Sequence, residues 1–181
     1  MNRPFIISIN AISGGGKTTI AKKLEECLPN SKALYFDDRN YDSDSGIHDI
    51  CKWVEQGSDI NQFNLERLAN DIETLLQSGC KYIVLDYPFG HRHFLIGKYV
   101  DISVFIDTPF DIALARRIIR DYDKTSIVNI FDDMKYYLSQ GRKAYLDGLD
   151  VCKNDADIII NGNQNPDIII AEILQRINIQ D

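Results

Sequence analysis

The sequence predicts an α/β protein: a five-stranded parallel sheet with helices on both faces. Three observations predict it. Strand-length apolar runs alternate with helix-periodic segments along the 181 residues. The runs are nearly continuous in apolar residues, as strands covered on both sides are. A run of three glycines also stands at the first strand-to-helix junction.

Each element has its own warrant. "FIISI" (5–9) reads as the first buried strand, and "KTTIAKKLEECL" (17–28) as a helix with Ile20, Leu24, Cys27 and Leu28 on one face. "KALYF" (32–36) is a second strand, followed by the acidic loop "DDRNYDSDSG". Leu65, Leu68, Ala69, Ile72, Leu75 and Leu76 recur at helical spacing, and Gly79 is placed to end that helix. "KYIVLD" (81–86) is a third strand that ends in a carboxylate, and "HRHFLIGKYV" reads as a loop with a short helix. "ISVFID" (102–107) is a fourth strand; Asp107 or Thr108 can cap a helix opening at Pro109 and running to about Asp121. A helix or a broken pair covers "SIVNIFDDMKYYLSQGRKAYL", and "ADIIIN" (156–161) with a helix from Pro166 to about Ile177 completes the pattern.

Composition narrows the class. A hydrophobic fraction of 44% and a charged fraction of 26% are those of a globular chain, read as one domain over 1–181. The apolar runs are too short for a bilayer span and the N-terminus lacks a signal-peptide layout, so no membrane association and a cytoplasmic location are expected. Cys27, Cys51, Cys80 and Cys152 have no Cys-x-x-Cys spacing, which argues against a zinc site or a disulfide framework. The net charge of -7 argues against nucleic-acid binding, although Arg92, Lys98, Arg116, Arg117 and Arg120 form a locally basic tract suited to an anion.

The glycine run sits in "AISGGGKTT" (11–19), which fits the pattern G-x-x-x-x-G-K-[ST] with Ala11 in place of the first glycine. Alanine is acceptable there if its φ is negative. With a strand before it and a helix after it, this is a phosphate-binding P-loop, and the fold becomes of P-loop NTPase type. Ser13, Gly14, Gly15, Gly16 and Thr19 belong to the loop that wraps the phosphates of ATP; Lys17 would reach the β- and γ-phosphates, and Thr18 would give a hydroxyl to Mg²⁺. Asp86 ends a buried strand, where a carboxylate needs a cation or a water held by one, so it is read as the second Mg²⁺-organising group. Tyr87, Phe89, His91 and Arg92 follow it at the mouth of the sheet and could stack on or hydrogen-bond a small-molecule acceptor; Tyr41 is a similar candidate.

Residues 6–38, the block "DISVFIDTPFDIALARRIIRD" (101–121) and "KNDADIIINGNQNP" (153–166) resemble the uridine kinase and nicotinamide riboside kinase group of P-loop kinases. The resemblance implies ATP-dependent phosphoryl transfer to a hydroxyl of a nucleoside or related riboside. It also implies that Asp37, with Asp38 beside it, takes the hydroxyl proton, and that Arg116, Arg117 and Arg120 belong to a small lid around 117–130 that closes over the phosphates, Arg117 acting catalytically. Family members often self-associate, so a homo-oligomer is also implied. Two departures stand out: the family pattern has glutamate at the place of Asp86, and it carries extra strand material with a P-x-Y-D segment where "QSGCKYIVLD" runs straight into the carboxylate strand. The acceptor pocket is therefore expected to differ in shape. A kinase for a sugar acid, a shikimate-like compound or a coenzyme precursor is the alternative within the class, and a nucleotide-binding regulator the alternative outside it.

Overall fold

The computed structural model describes residues 3–37, 41, 45–122 and 127–178. Among these, β1 (Phe5–Asn10), β2 (Ser31–Tyr35), β3 (Tyr82–Asp86), β4 (Ile102–Asp107) and β5 (Ile158–Asn161) form one sheet in the order β2-β3-β1-β4-β5. Every neighbouring pair is parallel, as predicted. Parallel neighbours cannot be joined by a hairpin, so the chain crosses over through helices: α1 (Lys17–Cys27), α2 (Ile50–Glu55), α3 (Glu66–Leu76), α4 (Phe110–Tyr122), α5 (Ile127–Tyr136), α6 (Arg142–Asn154) and α7 (Pro166–Arg176).

Strand alternation divides the core between two faces. Ile6, Leu34, Ile83 and Leu85 pack with Leu68 and Ile72 of α3 on one side. Ile7, Ile9, Val84, Val104 and Ile160 pack with Leu24 of α1 and Ile173 of α7 on the other. The closing helix starts where the sequence places it, with Asn165 accepting from the Asp167 N–H and Pro166 in the first turn. Among the described residues, no helix is long and apolar enough to cross a membrane.

Three differences from the sequence reading bear on the site. The expected helix or broken pair is continuous, carried through a π-helical turn, Tyr137–Gly141, that periodicity did not reveal, and runs on to Asn154. Gly141 is buried in that turn. The segment "HRHFLIGKYV" holds only a single 3₁₀ turn, Gly97–Tyr99. Conversely, α2 and a 3₁₀ turn at Ile60–Gln62 occupy a stretch with no regular periodicity; Asp49 and Asp59 start them by accepting from the Lys52 and Asn61 N–H groups.

Register fixes what meets at the carboxyl edge, where ligands of open α/β sheets bind. Asp86 stands level with Ile9 on one side and Tyr35 on the other. The glycine loop after β1, Asp37 after β2 and Asp86 at the end of β3 thus come to one edge.

Candidate active site

The glycine loop is shaped by three different local demands. Gly14 has φ 79° and lies so close to α4 that a Cβ would stand 2.1 Å from the Ala113 carbonyl oxygen. Gly15 has no room for a Cβ, which would meet Ala11 Cβ at 2.7 Å and the Ile12 oxygen at 2.8 Å. Gly16 has φ 102° and caps α1, with open space around it. Ala11 is not among the residues with positive φ, so the alanine adopts an ordinary backbone conformation in place of the motif's first glycine. Just after β4, the Thr108 hydroxyl donates to the Gly15 carbonyl at 2.8 Å and ties the loop down.

Thr18 donates its hydroxyl to Asp86 Oδ2 at 2.6 Å, and Lys17 Nζ stands 3.9 Å from Asp86 Oδ1. Asp86 is 2% exposed, so its charge depends on these neighbours. A cavity of about 820 Å³ opens over them, lined by Gly14 to Thr19, Asp37, Arg116 and Arg120, and reaching Gly162, Gln164, Pro166 and Ile169 beside α7. It combines a helix N-terminus, an ammonium and two guanidinium groups, an environment built for polyanions. Charge-assisted bonding to Asp121, opposed by partial burial and aided by that carboxylate's field and by the field of Asp37, raises the pKa of Arg120 above its ordinary value.

A second cavity of about 500 Å³ shares Ile12, Lys17 and Asp37 with the first. Its walls come from Phe36, Trp53, Ile60, Phe63 and Phe89, with Ser13, Ser58, Tyr145, Asp147 and Cys152 as polar or thiol groups. The rings brace one another: Trp53 meets Phe63 edge-on at 5.4 Å, and Phe63 lies 4.8 Å from Phe89. The Trp53 indole N–H is fixed on the Asp59 carbonyl at 3.0 Å. Burial pushes the Cys152 thiol up to about 12, so it stays protonated.

The other residues singled out in the sequence lie elsewhere or differently. Arg117 does not line either cavity; it is bonded to Asp133, and its Nη1 donates to the Tyr145 hydroxyl at 2.8 Å. Partial burial acts against its charge, but the fields of Tyr145 and Asp133 outweigh it and raise its pKa. Tyr41 and Tyr87 are 1% exposed and belong to the core on the α3 side, where Tyr41 bonds to Asp71. His91 pairs with Asp157 at 2.7 Å, its N–H is held by Asp155, and Arg92 is exposed; neither lines a cavity. The reason is the turn at Gly90, whose φ of 55° and packing against Ser103 swing the chain away toward the start of β5. Asp38 and residues 123–126 of the expected lid around 117–130 lie outside the described residues; 117–122 are the end of α4 and 127–130 the start of α5.

Sequence reasoning missed Trp53, Ile60, Phe63, Tyr145, Asp147 and Cys152. It also missed Asn10, a buried polar residue whose Nδ2 donates to Ser103 Oγ at 2.7 Å while its Oδ1 accepts from the Gly90 N–H at 3.1 Å, fixing the loop that carries Phe89. An asparagine closing a strand that is apolar but for Ser8 was the available signal.

A phosphate-binding loop that opens directly into a second, ring-walled cavity is the layout of a P-loop small-molecule kinase. The comparisons agree: a profile of the Phosphoribulokinase / Uridine kinase family matches residues 35–168, and the chain belongs to that family. A uridine kinase of Ligilactobacillus salivarius is 25% identical over 202 residues, covering 95% of this chain and 93% of its own. A sugar kinase from Janibacter sp., solved without ligand, superposes with a TM-score of 0.58 at 15% identity over 97% of this chain and 95% of that one. Shikimate kinase from Bacteroides thetaiotaomicron superposes with a TM-score of 0.56 at 11% identity, over 97% and 99%. The chain is a kinase of this family, acting on a small molecule, and such kinases imply the use of ATP.

Proposed function

We propose that this kinase transfers the γ-phosphoryl group of ATP to a hydroxyl of a nucleoside or related riboside. The observation that carries the reading is the meeting of the two cavities at Lys17 and Asp37. An ATP tail in the first and a hydroxyl-bearing ring in the second would face each other there, with a carboxylate beside the reacting oxygen. The likeness to uridine kinases along nearly the whole chain favours a nucleoside.

In this reading Gly14 to Thr19 cradle the phosphates, Ser13, expected among them, lining the second cavity instead, and Lys17, Arg116 and Arg120 offset the charge that spreads over the transferring group. Asp37 accepts the hydroxyl proton. Arg117 supports this arginine face through Asp133 and Tyr145, and Phe89 forms part of the acceptor wall. Mg²⁺ suits the Thr18 hydroxyl and Asp86 carboxylate, hard oxygen donors lying side by side at the phosphate cavity. Held by the Thr18 hydroxyl and the Asp86 carboxylate, the ion would supply positive charge to offset that of the phosphates.

Asp37→Asn tests the reading. Turnover is expected to fall by about a hundred- to ten-thousand-fold as the general base is lost, while ATP affinity measured by calorimetry holds. Normal turnover in this variant would remove Asp37 from the chemistry.

A further inference from the structure

We propose that Asp147 sets the charge admitted by the second cavity, so that the acceptor is an uncharged or cationic ring compound and carboxylate-bearing acceptors are refused. This rests on reading that cavity as the acceptor site.

The wall opposite the chemistry is aromatic. Phe36, Trp53, Phe63 and Phe89 line it, and Phe36 meets Phe89 edge-on at 6.2 Å, so the rings form a continuous, mutually supported surface suited to a flat ligand. Ser58 lines the same space from a left-handed backbone conformation, φ 56°, held by its N–H donating to the Trp53 carbonyl at 3.1 Å. That bond belongs to the turn that ends α2, which fixes where Ser58 stands.

Charge is then decided by few groups. Among the described residues that line the cavity, Lys17 is the only cation, and it stands by Asp86 at the junction with the phosphate cavity. The anions are Asp37 at the same junction and Asp147 on α6. Asp147 is half-buried and forms no ion pair among the described residues. Arg92, whose field reaches Cys152, does not line the cavity, and the field of Asp155 opposes it there. Cys152 is a neutral thiol.

Among the described residues, a ligand carboxylate in this space would lose water to an aromatic wall, find no guanidinium or free ammonium, and face a carboxylate instead. Hydroxyl, amide, amino and cationic groups are matched by that same carboxylate, since ionised aspartate accepts and cannot donate. The refusal of acids therefore follows from one side chain, and reversing that side chain's charge reverses the preference.

The experiment uses the chain's single tryptophan, which lies in this wall, as a binding probe independent of turnover. Tryptophan emission is titrated with three ligands that differ at one ring position: uridine, 5-aminomethyluridine and 5-carboxyuridine. The wild type is expected to bind the first two roughly tenfold or more tighter than the third. Asp147→Asn narrows the gap, and Asp147→Lys inverts it, with 5-carboxyuridine binding tightest. Equal binding of all three by the wild type, or a ranking unchanged in Asp147→Lys, overturns the assignment. Absence of any response overturns it together with the nucleoside reading. Charge-ranked binding with no ADP formed upholds the assignment and overturns the transfer reading alone.

Discussion

Three adjacent glycines in one loop answer to three different constraints. Gly16 needs only its left-handed backbone, Gly15 needs only space, and Gly14 needs both, because α4 presses on it. Ala11 and Gly15 are complementary: the methyl group present at one position lies where a Cβ at the other would have to go. Gly14→Ala combines a strained φ with a backbone clash, so it is expected to lower stability by more than about 1 kcal/mol and to weaken nucleotide binding further than Gly16→Ala does. Urea unfolding and ATP titration of the two variants check this order. A larger loss for Gly16→Ala would mean that contact with α4 matters less than backbone freedom.

At the scale of elements, α4 faces two ways. Arg116 and Arg120 line the phosphate cavity, while Arg117 reaches Asp133 on α5 and Tyr145 on α6. Arg117→Ala removes those bonds and leaves Asp133, itself only 23% exposed at its side chain, without its guanidinium. A loss of about 1–3 kcal/mol is expected, read by the urea midpoint, with a raised acceptor KM because Tyr145 lines the cavity proposed for the acceptor. A fall in kcat with KM and stability untouched would instead place Arg117 on the phosphates. The strands and most helices were legible because apolar periodicity is local. The second cavity was not, since it draws on α2, the turn at Ile60–Gln62 and α6, segments far apart in sequence and weak in periodicity. His91 and Arg92 misled for a related reason: nearness to Asp86 along the chain does not survive the turn at Gly90. Phe63 in that wall is held by buried His93, whose Nε2–H donates to the Phe63 carbonyl at 2.9 Å while Nδ1 accepts from the Leu95 N–H. Burial lowers the His93 pKa below its ordinary value of 6.5, against the opposing pull of the Phe63 carbonyl. A depressed folded-state pKa means the unfolded chain takes up the proton first, so this contribution is fully present above pH 6.5 and is lost as pH falls through the folded value. His93→Gln is expected to flatten that acid-side loss in urea midpoints; an unchanged profile would assign the pH dependence to other groups.

For the whole molecule, an acidic chain of net charge -7 keeps Lys17, Arg116 and Arg120 around one cavity. The fold makes this possible by placing the ends of β1, β2 and β3 side by side, so that the glycine loop, Asp37 and Asp86 come from three successive strands of the sheet order. The loop and its place at the carboxyl edge were readable from the glycine motif and the strand pattern, because both depend on short segments, whereas Asp37 was reached only through the resemblance to the family. The most direct measurement is ADP formation from magnesium-loaded ATP with and without uridine, by the wild type and by Lys17→Met. Uridine-stimulated ADP release that disappears in the variant, together with saturable nucleotide binding, is the expected result. Release that is equal with and without acceptor, or unaffected by losing the ammonium, would contradict phosphoryl transfer at this loop.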